Sequence, residues 1–165
     1  MVDIISHGLW SFLAFRKLKE RKEIWAGIFF GIMPDLLSWT IYSIYLLFIG
    51  TIPYGKPNPW ELPQWAFMLY NISHSLIICV IFLGFIYTLT KEFPIYTLGW
   101  PLHILIDIPT HSKEFLPTPF LWPISNWKFP GISWSNPWLF LLDCGLLIIF
   151  FIYTYLIKRK TKKIK

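Results

Sequence analysis

Charge is scarce in this 165-residue chain: 15% of its residues are Asp, Glu, Lys or Arg, against 55% hydrophobic and 20% aromatic. So apolar a composition excludes an ordinary soluble core and points to a single membrane domain, residues 1–165. Cysteine is nearly absent, and Cys79 and Cys144 each lie within an apolar run without CxxC spacing. That excludes a paired-thiol site and a disulfide scaffold, and leaves both as small buried hydrophobes. The chain also lacks a G-x-S-x-G elbow, a P-loop, a Gly-rich dinucleotide turn, internal repeats and low-complexity tracts. The commoner nucleophile and nucleotide chemistries are therefore not expected. The N-terminus has neither a positive n-region nor a small-residue cleavage site, so it does not read as a removable signal peptide.

The charge that is present sits in two places. Arg16, Lys17, Lys19, Arg21 and Lys22 form one basic cluster, and Lys158, Arg159, Lys160, Lys162, Lys163 and Lys165 form the other. Both abut apolar segments, the pattern of a cytoplasmic membrane flank rather than of a nucleic-acid surface. The basic tail from Lys158 suits anionic lipid. Five apolar segments are predicted: Met1 to Phe15, Ile24 to Gly50, Ala66 to Thr90, Ile95 to Ile108 and Trp138 to Ile157. The expected fold class is an all-α, polytopic membrane protein of four or five segments. The first and fourth are short of the about 20 residues of a full span and are expected to be tilted, kinked or re-entrant, and Pro101 reinforces that for the fourth. With both basic clusters inside, Thr51 to Trp65 and Pro109 to Pro137 face outward. These connections are rich in Pro and Trp and are expected to form a rigid lid at headgroup level.

Against this apolar background stand all four histidines and the carboxylates Asp35, Asp107 and Asp143. Burying such groups in hydrocarbon costs a few kcal/mol each, so several together mark a site that compensates them. Helical spacing aligns them in stripes: Asp3, His7 and Ser11; Gly27, Gly31, Asp35 and Ser38; Tyr70 and His74; and Gly99, His103 and Asp107. The glycines let neighbouring helices approach closely, so the four stripes can converge on one cavity. Pro109 is expected to end its helix and let His111 fold back over the end, while Pro34 marks a bend beside Asp35.

His7, Asp35, His74, His103, Asp107 and His111 then offer four imidazoles and two carboxylates. That set suits a divalent transition metal, zinc foremost and manganese or iron as alternatives, as one or two ions. His7 and His111 are the candidates for completing the shell or acting as general base. Tyr70, Asn71, Ser75 and Asp143 are candidates for holding the ligands in place, and Lys113 for meeting a phosphate. Ser75 adjoins His74, but neighbours on a regular helix point about 100° apart and cannot form a catalytic pair.

The ordered anchors Ser6–Gly8 (SHG), Gly31–Asp35 (GIMPD), Ser73–Ser75 (SHS), His103–Asp107 (HILID) and Leu121–Ser125 (LWPIS) resemble those of the membrane-bound metal-dependent hydrolases. The resemblance spans nearly the whole chain. It implies a polytopic inner-membrane hydrolase with His7, Asp35, His74, His103 and Asp107 as metal ligands; His111 is added from its position alone. The chain departs from the pattern at Leu37, where many members carry a second acid, and at Tyr70 and Asn71, where they carry a His-Arg pair. A fainter likeness, in the H-x-x-x-D run, is to zinc-dependent phospholipases C. The expected activity is hydrolysis of a lipid-linked or amphipathic ester, foremost a phosphoester, in the cell's inner membrane with the C-terminus inside. An ion-coupled transporter, or a scaffold stapled by a metal or polar network, are the competing classes.

Overall fold

A computed structural model describes residues 2–51 and 61–163; for residues 2–3 and 158–163 it describes the backbone alone. The Asp3 side chain, most of the first outer connection and the side chains of the basic tail therefore lie outside what the structure describes. Those residues hold helices and no strand: α1 (Val2–Phe15), α2 (Arg21–Asp35), α3 (Ile41–Phe48), α4 (Gln64–Ser73), α5 (Leu76–Thr90), α6 (Gly99–Thr110) and α7 (Pro137–Lys163). A π-helical turn, Leu36–Thr40, joins α2 to α3 without a break, and a 3-10 turn, Ile95–Leu98, leads into α6.

Four or five spans were expected, and the helices are fewer in that role. Arg21–Phe48, 28 residues with mean hydropathy 1.4, and Pro137–Ile157, 21 residues with mean hydropathy 2.3, are long and apolar enough to cross a membrane. The third segment is broken at His74, where α4 and α5 meet at 59°, and it makes a third span only if the bent pair counts as one. At 14 and 12 residues α1 and α6 are shorter than the about 20 residues of a full span. Both pack one face against α2.

Glycine decides how closely they pack. A Cβ on Gly99 of α6 would meet the backbone of α2, colliding with the Gly27 carbonyl and lying 2.8 Å from the Gly31 nitrogen. A Cβ on Gly31 would strike the Ser11 hydroxyl of α1, and one on Gly27 would lie 2.5 Å from the Phe15 ring. Three helices thus meet at backbone distance, as small residues permit. The π-turn begins two residues after Pro34, and the Ser38 hydroxyl donates to the Pro34 carbonyl at 2.9 Å. Such turns arise where the regular hydrogen-bond ladder is interrupted.

Two proline expectations are corrected. Pro101 sits in the first turn of α6, where its missing N–H costs nothing, so it starts the helix rather than interrupting it. Pro109 lies inside α6, which runs on to Thr110, and the His111 N–H still reaches the Asp107 carbonyl at 3.1 Å.

The connection from α6 to α7 folds against the helices. Ile132 and Trp134 donate their N–H groups to the carbonyls of Pro109 and Thr110 at 2.9 and 2.8 Å, satisfying the end of α6. Tyr70 donates its hydroxyl to the Leu116 carbonyl at 2.7 Å, and Leu76 N–H donates to the Phe120 carbonyl at 3.0 Å. The lid is thus fastened at the α4–α5 break. Cys79 is fully buried and Cys144 half-buried, both as free thiols.

Gly99→Ala is expected to lower stability by about 1–3 kcal/mol, since rigid backbone must move aside. Gly84→Ala, with nothing within 4 Å of the new Cβ, is expected to lose none. Thermal unfolding of the two variants in detergent makes the comparison.

Candidate metal centre

The four stripes converge on one buried cluster. His7 comes from α1, Asp35 from the end of α2, His74 from the α4–α5 break, and His103 and Asp107 from adjacent turns of α6. All five are at most 4% exposed, and His111, capping α6, is 6% exposed. Asp107 is the hub. Its Oδ1 lies 2.9 Å from His7 Nε2 and 3.6 Å from His111 Nδ1; its Oδ2 lies 3.2 Å from His103 Nε2 and 3.4 Å from His74 Nε2. Asp35 Oδ1 faces the same two imidazoles, 3.5 Å from His74 Nε2 and 3.9 Å from His103 Nε2.

Where the protons sit follows from the other face of each ring. His103 Nδ1 is 2.7 Å from the Gly31 carbonyl, and a carbonyl only accepts, so Nδ1 carries the proton. His74 Nδ1 likewise meets the Tyr70 carbonyl at 3.2 Å and the Ser73 hydroxyl oxygen at 2.8 Å. Ser73 itself donates to that Tyr70 carbonyl at 3.3 Å. In the neutral imidazoles both Nε2 atoms then carry bare lone pairs, and these point at each other across 3.3 Å. Both Asp107 oxygens and Asp35 Oδ2 are buried without a hydrogen bond. Lone pairs and carboxylates so gathered away from water repel one another unless a cation joins them.

The spacing fits one. His74 Nε2, His103 Nε2 and Asp107 Oδ2 form a triangle with sides of 3.2, 3.3 and 3.4 Å. Metal bonds of about 2.0–2.1 Å in a tetrahedral shell set neighbouring ligand atoms about 3.3–3.4 Å apart, so this triangle has the dimensions of one face of such a shell. A second group able to hold an ion, His7, Asp35 and His103, shares His103 with the first. The two rings that bracket it, His7 and His103, are stacked with centroids 3.8 Å apart.

The remaining predicted residues fall in different places. Tyr70 stacks on His74, centroids 4.1 Å apart, and holds that ring from behind. Asn71 is half-buried on α4 and takes no part in these contacts. His111 belongs to neither ligand group; its Nδ1 is also 3.3 Å from the Asp107 carbonyl, so it leans on the end of α6 beside Asp107. Ser75 caps α5, accepting from Ile78 N–H at 3.2 Å and donating to the Trp122 carbonyl of the lid. The serine that touches His74 is Ser73, because the helix ends between them and the regular 100° rotation does not apply. Asp143 is turned away, accepting from Ser6 at 2.6 Å and Trp10 at 2.7 Å. Lys113 is exposed on the lid next to Glu114.

Ser73 and the Gly31 carbonyl were not singled out from the sequence. A hydroxyl directly before a candidate ligand, and a glycine one turn before Asp35 on a shared stripe, were the signals. No family model, curated protein or solved structure matches the chain, so the reading of this centre stands on its geometry.

Purified protein is expected to carry transition metal close to one per chain by elemental analysis, and His103→Ala and Asp107→Ala to lose it. Ser73→Ala should keep the fold and weaken metal affinity by about 10–100-fold, the cost of removing a group that orients a ligand. Full metal retention in both alanine variants at the ligands would contradict the assignment.

Proposed function

We propose that this chain is a membrane-embedded, metal-dependent hydrolase acting on a lipid-linked or amphipathic phosphoester. The observation that carries the reading is the triangle of His74 Nε2, His103 Nε2 and Asp107 Oδ2. Three protein ligands with one position left over is the arrangement of catalytic rather than structural zinc sites. A mixed nitrogen and oxygen set suits zinc, manganese or iron, and zinc is the ion proposed here. When bound, the ion supplies Lewis-acid polarisation of the scissile group and a nucleophile from water at neutral pH.

The chain's own residues do the rest. Gly31 and Tyr70 carbonyls hold the protons of His103 and His74 on Nδ1, so both rings present Nε2 inward. Asp35 adds negative charge on the same side and holds a cation against loss. His7 Nε2 lies 2.9 Å from Asp107 Oδ1, so the carboxylate orients this ring, and His7 is the proposed general base. The fastened lid keeps bulk water away from these groups. In this reading the protein crosses the inner membrane several times, with its basic tail on anionic lipid at the cytoplasmic face.

One observation favours a second reading. His7, His74, His103 and Asp107 are each at most 1% exposed, which also suits an ion that staples α1, α2, α4 and α6 together without catalysis.

Metal-loaded protein in phosphatidylglycerol vesicles containing phosphatidic acid separates the two. The hydrolase reading expects phosphate release that His7→Ala lowers by about 10²–10⁴-fold, the usual worth of a general base, while an ion held by His74, His103 and Asp107 stays bound. No release by any metal-loaded form, together with a lower melting temperature on chelation, would leave the staple.

A further inference from the structure

A second polar feature lies on the faces of α1 and α6 that flank the metal centre. Between α1, α6, α7 and the lid is a cavity of about 360 Å³. Its walls are mostly apolar, with leucine and isoleucine side chains from α6 and α7 and Trp10, Trp134 and Phe140 as the aromatic members. One ionisable group lines it, Asp143, about two turns into α7, whose segment Pro137–Ile157 is long and apolar enough to cross a membrane. Asp143 is half-buried, and each carboxylate oxygen already accepts one hydrogen bond, from Ser6 at 2.6 Å and Trp10 at 2.7 Å. Among the described residues no Lys, Arg or His lies within ion-pair distance of it. Asp143 belongs to neither metal-holding group.

A carboxylate at membrane depth, held in place by two donors and facing an apolar space, calls for a cationic partner. Each Asp143 oxygen has further acceptor capacity beyond its one bond. Indole and phenyl rings in the same wall attract a cation as well. The helix that carries Asp143 is only 6% buried over its apolar window, so the surrounding medium that reaches this cavity is lipid. The partner that fits is therefore a lipid whose headgroup bears an ammonium ion and whose chains lie along the leucine wall. A primary ammonium, with three N–H donors, can hydrogen-bond to the open positions of the carboxylate; a quaternary one cannot.

We propose that the cavity between α1, α6 and α7 is a binding site for an aminophospholipid, with Asp143 as the counter-ion of its ammonium group. It does not depend on the metal centre or on hydrolysis.

The test is native mass spectrometry of the full chain released from nanodiscs of equal phosphatidylethanolamine and phosphatidylglycerol. Wild type is expected to retain one phosphatidylethanolamine in preference to phosphatidylglycerol. Asp143→Asn, which keeps an acceptor for Ser6 or Trp10 but removes the charge, should reduce that preference at least about tenfold, as expected when one partner of a desolvated charge pair is removed. Trp134→Leu leaves Asp143 and its two donors untouched and should reduce it severalfold, so the test survives if the first variant does not fold. Metal content of each variant should match wild type. Equal retention of the two lipids by wild type, or full preference kept by either folded variant, would overturn the proposal.

Discussion

Asp107 is the point on which the rest of the molecule turns. Every histidine of the chain places a ring nitrogen within 2.9–3.6 Å of its carboxylate, two on each oxygen. A buried carboxylate costs several kcal/mol unless it is paired and hydrogen-bonded, yet neither Asp107 oxygen accepts a hydrogen bond. Compensation must come from charge brought by the imidazoles or shared with them, and the proton positions on His74 and His103 favour an ion over protons. The helices are arranged to make that meeting possible: α6 carries the hub, α1 and α2 reach it across glycine contacts, and the α4–α5 break delivers His74.

That dependence explains features that would otherwise weaken a helical protein. A helix broken at His74 and Ser75 forfeits ladder hydrogen bonds, which the Ser75 side chain and the lid carbonyls restore. The π-turn after Asp35 is a similar interruption, and single π-turns collect at functional sites for the same reason: they redirect a side chain that a regular helix would misplace. Gly31 serves twice. Its missing side chain admits Ser11 of α1, and its carbonyl fixes the His103 ring.

Much of the centre was legible in the sequence because helical spacing alone aligns His103 with Asp107, and Gly27, Gly31 and Asp35 with Ser38. Those stripes needed no tertiary information. The span count was less legible: hydropathy marks α1 and α6 as apolar, but an apolar segment of 12–14 residues is equally suited to a buried interior helix. The exchange of Ser75 for Ser73 has a similar cause. A break between two helices leaves little trace in a continuous apolar run, so the rotation between neighbours was taken from a regular helix. Asp143 shows the limit in another way, since one carboxylate in a long apolar helix gives no hint that its donors come from α1, more than 130 positions away in the chain.

X-ray absorption at the metal edge of the zinc-loaded protein tests the central claim most directly. A shell of nitrogen and oxygen atoms at about 2.0–2.1 Å, with outer scattering from at least two imidazole rings, is the predicted result. A shell of oxygen alone, or one containing sulfur, would contradict the account.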